Sequence, residues 1–200
     1  MIKLRTIGSV ALFAIAMSVG AAPAPATKPA AAVAPAAGSP AAQLADTAHS
    51  QLEFSGIQAG AAFKGVFKKF TAGVLLDPGN LAASRIDVQI DLNSLDTQDA
   101  ERDKSMRGPD FFDVARTPGA HYVTRAITKT AKGYAATGSL TLRGVTRDVA
   151  IDFQYTGATL TGTSEVKRLD FGVGQGEWKS TEWVGDPVKI QFSLSLKPAH

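Results

Sequence analysis

Residues 85–92, Arg85-Ile86-Asp87-Val88-Gln89-Ile90-Asp91-Leu92, alternate without interruption between polar and aliphatic side chains. In an extended chain successive side chains point to opposite faces. This octet therefore puts Ile86, Val88, Ile90 and Leu92 on one side and Arg85, Asp87, Gln89 and Asp91 on the other. A helix of the same sequence would scatter both classes around its circumference. The stretch reads as a strand with one wet face and one dry face, the signature of an antiparallel sheet.

The same alternation spreads outward along the chain. Val188 to Leu196 places Val188, Ile190, Phe192, Leu194 and Leu196 against Lys189, Gln191, Ser193 and Ser195. Arg147 to Tyr155 sets Val149, Ile151, Phe153 and Tyr155 opposite Asp148, Asp152 and Gln154. Gln51–Ser55 alternates through Leu52 and Phe54, and Phe63, Gly65 and Phe67 share a face against Lys64 and Lys68. Weaker strands are expected at 70–77, 121–128, 134–142 and 159–167. Turn chemistry separates them at Asp77-Pro78-Gly79-Asn80, Lys132-Gly133 and Arg143-Gly144. Eight or nine strands with almost no helix-period segment between them exclude parallel βαβ architecture. A sheet of this size with one apolar face closes into a barrel or splits into a sandwich. A barrel of about eight strands has an interior just wide enough for side chains or one small ligand. The exception is Asn93 to Gly119. There Thr97 to Met106 reads as a short helix capped by Thr97 or Asp99, and Pro109 to Val114 as a further turn. An insertion of this length tends to be functional or to plug a barrel end.

The chain has 200 residues, 44% hydrophobic and 20% charged, with no Cys. That composition fits one ordinary domain plus an appendage. Without Cys there is no disulfide framework, Cys-ligated zinc, thiol nucleophile or lipid anchor on an N-terminal Cys. The net charge of +3 is located outside the strand-rich part. Lys3, Arg5 and Lys28 precede residue 46 with no acidic residue among them, and from Asp46 onward basic and acidic residues balance at 18 of each. No Lys/Arg stripe with interleaved aromatics occurs, so binding to a phosphate backbone has little support.

Met1 to Arg5 is basic, Ile7 to Val19 is a mostly apolar run, and Gly20, Ala21 and Ala22 are small. This is the three-part pattern of a secretory signal peptide, and the run is too short to span a bilayer. Residues 1–21 are read as the signal peptide, with cleavage after Ala21 and Ala26 as the runner-up, and a periplasmic destination is expected. Residues 22–45, rich in Ala and Pro, are expected to be a linker without a core. Residues 46–200 are the domain.

The catalytic inventory is thin. His49, His121 and His200 are the only histidines, and no Gly-x-Ser-x-Gly elbow or metal-ligand spacing appears. His49 and His121 read first as hydrogen-bonded structural residues. An enzyme acting on a lipid-like substrate would have to use one of them as base, with an Asp partner. Asp96, Asp99, Glu101 and Asp103 interleave with Arg102, Lys104 and Arg107 and read as a solvated helix with internal ion pairs. Gly172-Val173-Gly174-Gln175-Gly176 reads as a flexible crossover before the last strand. Nine of the ten Phe lie in the domain. They either fill the core or line a ligand site, and the pattern leaves both open.

Several segments together resemble the YceI-like family of periplasmic polyisoprenoid-binding proteins. They are Asp46 to Phe54, Gly65 to Gly73, Ile90 to Thr97 running into Arg102 to Arg107 and Asp110 to Val114, Gly138 to Thr146, and Asp170 to Gly174. The resemblance covers essentially all of residues 46–200, in order. It implies an all-β, lipocalin-like antiparallel eight-stranded β-barrel with a short helical insertion. The implied function is periplasmic binding, storage or transport of an isoprenoid lipid, an isoprenoid quinone or a polyprenyl phosphate, in an apolar channel. No catalytic residue, cofactor or metal is implied. The channel residues expected on this basis are Phe54, Phe67, Ile86, Val88, Ile90, Phe111, Phe112, Leu140, Leu142, Ile151, Phe153, Phe171, Ile190 and Phe192. Phe111 and Phe112 are expected as a lid near the mouth, and Arg107 and Arg143 as head-group partners at the rim. The stretch from Gln175 to Asp186 is similar to a subgroup associated with membrane b-type cytochromes. That makes a module for such a cytochrome the rival function, favoured if Trp178 and Trp183 are exposed near the rim. The resemblance also admits a homodimer.

Overall fold

A computed structural model describes residues 42–199. The expected signal peptide and residues 22–41 of the expected linker lie outside the described residues, as does His200. In chain order the strands are β1 (Gln43–Ala45), β2 (Gln51–Gln58), β3 (Ala61–Phe67), β4 (Phe70–Leu75), β5 (Arg85–Asp91) and β6 (Leu95–Asp96). The helix α1 (Ala100–Arg107) follows, then β7 (Gly119–Thr130), β8 (Gly133–Leu142), β9 (Val145–Tyr155), β10 (Thr159–Lys167) and β11 (Pro187–Pro198).

Every strand pairing is antiparallel. β1 and β2 lie end to end along β11, β3 and β4 lie end to end along β2 and β1, and β6 and β5 continue the pattern. From β7 onward each strand pairs with the next, and β11 returns to β1 and β2. The segments thus fill eight positions of a closed up-and-down barrel, the expected fold. Each of the nine segments read as strands, where eight or nine were expected, is present as a strand. Several are longer than expected, with β7 and β11 reaching 12 residues each.

One boundary differs. Gln43–Ala45, expected as the end of the linker, form β1 and complete the ring. Gln43 and Leu44 pair with Val74 and Gly73 on β4, and Gln43–Ala45 pair with Pro198–Leu196 on β11. Without β1 both strands would present unpaired ladder groups, so three residues that join them are held despite an Ala/Pro-rich context. The Gln43 side chain adds two bonds, donating to Gly157 O at 2.8 Å and accepting from the Tyr155 hydroxyl at 2.9 Å.

The two ends of the barrel are built differently. At one end the strands are joined by the short turns after β7 and β9 and by the 76–84 loop. Here Ala72, Val74, Leu76, Ile127, Ala136 and Phe153 are buried against one another as a filled core. The other end carries the β2–β3 and β8–β9 turns and both long connections, residues 92–118 and 168–186. The helix begins where the Asp99 carboxylate accepts from the backbone N–H groups of Glu101 and Arg102, and it stops at Gly108. The two long loops meet where Gly174 N and Gln175 N both donate to Asp110 O at 2.8 Å.

Candidate functional site

Alternation on eight strands turns every second residue inward, and most of these are apolar. Toward the loop end these side chains do not meet. They surround a cavity of about 400 Å³, within the usual range of ~300–1,000 Å³ for small-molecule sites. Its wall is overwhelmingly apolar. Leu52, Phe54, Phe67, Phe70, Ile86, Val88, Ile90, Tyr122, Leu140, Val149, Ile151, Leu160, Val166, Val188, Ile190, Phe192 and Leu194 come from the strands. The insertion contributes Met106, Phe111 and Phe112, and the 168–186 loop contributes Phe171, Val173, Trp178 and Val184.

Of the channel residues expected from sequence, Phe54, Phe67, Ile86, Val88, Ile90, Phe111, Phe112, Leu140, Leu142, Ile151, Phe171, Ile190 and Phe192 line this cavity. Phe153 does not. It is buried, with its ring stacked on Tyr134 at a centroid distance of 5.4 Å, and it belongs to the filled end. Phe111 and Phe112 are buried under the loop end. Phe112 touches Phe67 at 6.2 Å and Phe111 touches Trp178 at 5.5 Å. A continuous aromatic path runs from Phe63 through Phe54 (6.3 Å) to Phe67 (5.0 Å) and Phe112.

Neither expected head-group residue lies on the cavity wall. The Arg107 guanidinium donates to Asn93 O at 3.1 Å and to Leu95 O, and Arg143 donates to Phe111 O. Both guanidinium groups hold loop carbonyls in this structure. The polar groups that do face the cavity are Gln58, Asp99, Glu101, Arg102 and Ser105 beside the helix, with Ser164 and Arg168 on the other side. Arg102 donates to Gln58 Oε1 at 2.9 Å and to Asp99 Oδ2 at 3.1 Å, and its guanidinium carbon lies 4.8 Å from the Phe63 ring centroid. That arrangement combines an ion pair with a cation–π contact. Sequence reading missed Arg102 because it sat in a run of alternating charges. Its spacing of four from the apolar Met106 is the signal that places it on the inward face of α1.

Arg168 is the buried charge of the site, 4% exposed. It donates to four carbonyls of its own loop: Gly185 O at 3.0 Å, Val173 O at 2.9 Å, Ser180 O at 3.3 Å and Val184 O at 2.7 Å. Burial lowers its pKa from the usual value, with nearby Asp186 opposing the shift. The segment expected as a flexible crossover is therefore strapped down. Gly174, at φ +91°, leaves the space that the guanidinium occupies; a Cβ there would collide with it. Asp103 also departs from the expected solvated helix. It is buried and accepts from Thr97 N at 2.9 Å and Thr97 Oγ1 at 2.7 Å, closing the entry to α1.

The histidines considered as bases lie off the cavity. His49 meets Asp46 at 3.1 Å and is largely exposed. His121 donates to Asp87 at 2.8 Å on the outer face, where Arg85 also bonds the carboxylate. Burial works against ionisation of Asp87, but these two hydrogen bonds outweigh it and hold the carboxyl below its usual range. Inside the cavity, burial pushes the Tyr122 phenol up to about 12, so it faces the void as a neutral group. Of the two tryptophans considered for a cytochrome contact, Trp178 is packed on Phe111 and Trp183 is exposed.

Solved structures with the same architecture include Burkholderia cenocepacia BcnA, 36% identical, covering 76% of this chain and 99% of that chain with a TM-score of 0.69. A Campylobacter jejuni YCEI protein is 24% identical, covers 70% of this chain and 86% of its own, and superposes with a TM-score of 0.62. A polyisoprenoid binding domain from Saccharophagus degradans shares the fold at 17% identity, 80% and 99% coverage and a TM-score of 0.58. A UPF0312 protein of Yersinia enterocolitica is 40% identical over 93 residues, which are 46% of this chain and 48% of that protein. The chain thus spans about half the length of the curated relatives it matches. Residues 44–196 match the YceI-like domain, from the ring-closing β1 to the last inward Leu of β11, and the chain belongs to the YceI-like family.

Proposed function

We propose that this protein binds an isoprenoid lipid by its tail and shelters it from water, as a carrier or store and not as a catalyst. The observation that carries the reading is the apolar cavity of about 400 Å³ at the loop end of the barrel. Its wall offers burial and dispersion contacts to an unbranched-to-methylated hydrocarbon tail and few hydrogen-bonding groups. Micromolar affinity corresponds to about 8 kcal/mol. At about 0.8 kcal/mol per buried CH₂-sized group, an isoprene unit contributes about 4 kcal/mol, so roughly three to four units supply that with about 4–8 kcal/mol left for ordering costs. The polar groups by the helix leave room for a head group at the mouth, with an isoprenoid quinone and a polyprenyl phosphate as the candidate ligands. A fold neighbour described as a polyisoprenoid binding domain supports the same ligand class. The basic, apolar and small-residue pattern of residues 1–22 supports export, and we place the protein in the periplasm.

The test is to purify the protein from its native host without detergent, extract it with organic solvent and identify the extract by mass spectrometry. An isoprenoid lipid in near-equal molar amount is expected. A clean extract, together with no uptake of added quinone, would overturn the reading.

A further inference from the structure

Among the described residues three large apolar side chains are exposed: Leu44, Ile57 and Trp183. Leu44 lies on β1 at the filled end. Ile57 and Trp183, 45% and 64% exposed, lie together at the other end. Their proximity is set by a short ladder. Ala59 N donates to Trp183 O at 2.7 Å, Gly185 N donates to Ile57 O at 2.9 Å, and Gln58 bridges to Val184 between them. Side chains alternate across such a pair, so Gln58 and Val184, which line the cavity, point in while Ile57 and Trp183 point out. Opposite Ile57 stands Gly185, which puts no side chain over it. The adjoining hairpin tip, Ala59-Gly60 with both residues at positive φ, is followed by exposed Ala61 and Ala62. From Ile57 to Ala62 no residue is charged.

We propose that this rim, centred on Ile57 and Trp183, docks on the interfacial layer of a phospholipid bilayer and sets the cavity mouth against the membrane. The proposal rests on the lipid-binding reading, because the patch is one residue away, on both strands, from the cavity wall and the ligand's reservoir is a bilayer. Trp is suited to that layer, with an apolar body and a polar N–H. The charges around the patch do not favour an anionic surface. Glu177, Lys179, Glu182, Asp186, Lys189 and Lys64, the last two flanking Ser55 on neighbouring strands, sum to zero. Adsorption is therefore hydrophobic, directed to zwitterionic as well as anionic lipid, and weakly dependent on salt.

Flotation of the purified protein with phosphatidylcholine vesicles tests this, alongside the rate at which it takes a long-chain isoprenoid quinone from those vesicles. Binding in both low and high salt is expected. The double variant Ile57→Thr/Trp183→Ser should lose vesicle affinity and transfer rate by about tenfold or more. The single variant Trp183→Lys, at a solvated position, should show the same loss with unchanged thermal unfolding. Ile57→Leu/Trp183→Phe should retain binding. Variants that float like the wild type would overturn the proposal. So would wild-type binding confined to anionic vesicles and abolished by salt, or binding that appears only with a reconstituted membrane protein. Uptake of detergent-dispersed quinone reads the cavity alone and should be unchanged in the double variant. Failure of that uptake in the wild type would strike the lipid-binding reading, whereas intact uptake without flotation would strike the docking proposal.

Discussion

The two ends of this barrel use the same strand alternation for opposite purposes. At the end with the short turns, Val74, Leu76, Ile127 and Ala136 converge and exclude space. At the end with the long loops, equally apolar side chains such as Ile90, Leu140 and Ile190 face a void. Close packing stabilises the first end. The second forgoes those contacts, and its loops are held by polar straps instead, with Arg168, Arg107 and Arg143 each spent on backbone carbonyls. A hollow site is thus supported by a solid base and by guanidinium groups that fasten its cover.

The sharpest way to break this contrast is to make the same truncation at both ends. Leu76→Ala, at a residue 1% exposed, should cost about 3–4 kcal/mol in denaturant unfolding and leave lipid uptake unaltered. Leu140→Ala should cost only about 1–2 kcal/mol, because one side of Leu140 already borders empty space. Equal losses would contradict the division into filled and hollow ends. Arg168→Met keeps much of the apolar stem but orphans four carbonyls, and should cost about 2–3 kcal/mol. It should also loosen the cover, read as a red-shifted Trp178 emission in a Trp183→Phe background. An unshifted spectrum would show that the strap is dispensable. Leu140→Trp fills the hollow end. It should change stability by no more than about 1.5 kcal/mol while reducing isoprenoid uptake by about tenfold.

The smallest effect concerns the outer wall. The Asp87 carboxyl is held below its ordinary value of 3.8. Its contribution is present above that value and is lost as pH falls through the lower folded-state value. Because the group is about a third exposed, the contribution should be about 0.5 kcal/mol. Urea midpoints of wild type and Asp87→Asn should differ at neutral pH and converge in acid. A constant difference would assign the effect to packing.

The octet at 85–92 made the fold legible, because period-two alternation has one geometric meaning and recurs on most of the long strands, β7 breaking it at a bulge beside Arg125. It also made most of the cavity wall legible, since a residue that faces inward must face either core or void. What alternation does not encode is where along a strand the filling stops. Phe153 obeys the pattern as well as Ile151 does, yet it stacks on Tyr134 at the filled end. The ring-closing Gln43–Ala45 was illegible for another reason: its strand state is imposed by two partners distant in sequence, β4 and β11, and not by its own residues. Arg107 and Arg143 show that charge at a loop does not say what the charge meets. Their partners are main-chain oxygens brought near by folding, which leave no trace in composition. Arg168, the most buried charge of the loop end, was missed for the same reason.

The most direct test of a hollow, lipid-accepting barrel is a titration of the delipidated Trp183→Phe variant with a long-chain isoprenoid quinone, read as quenching of Trp178 on the cavity wall. A saturable loss of emission at one quinone per chain, abolished in the same background by Val88→Phe/Ile190→Phe, is the predicted result. Emission that falls without saturation, or that saturates equally with the cavity filled, would contradict a ligand inside the barrel.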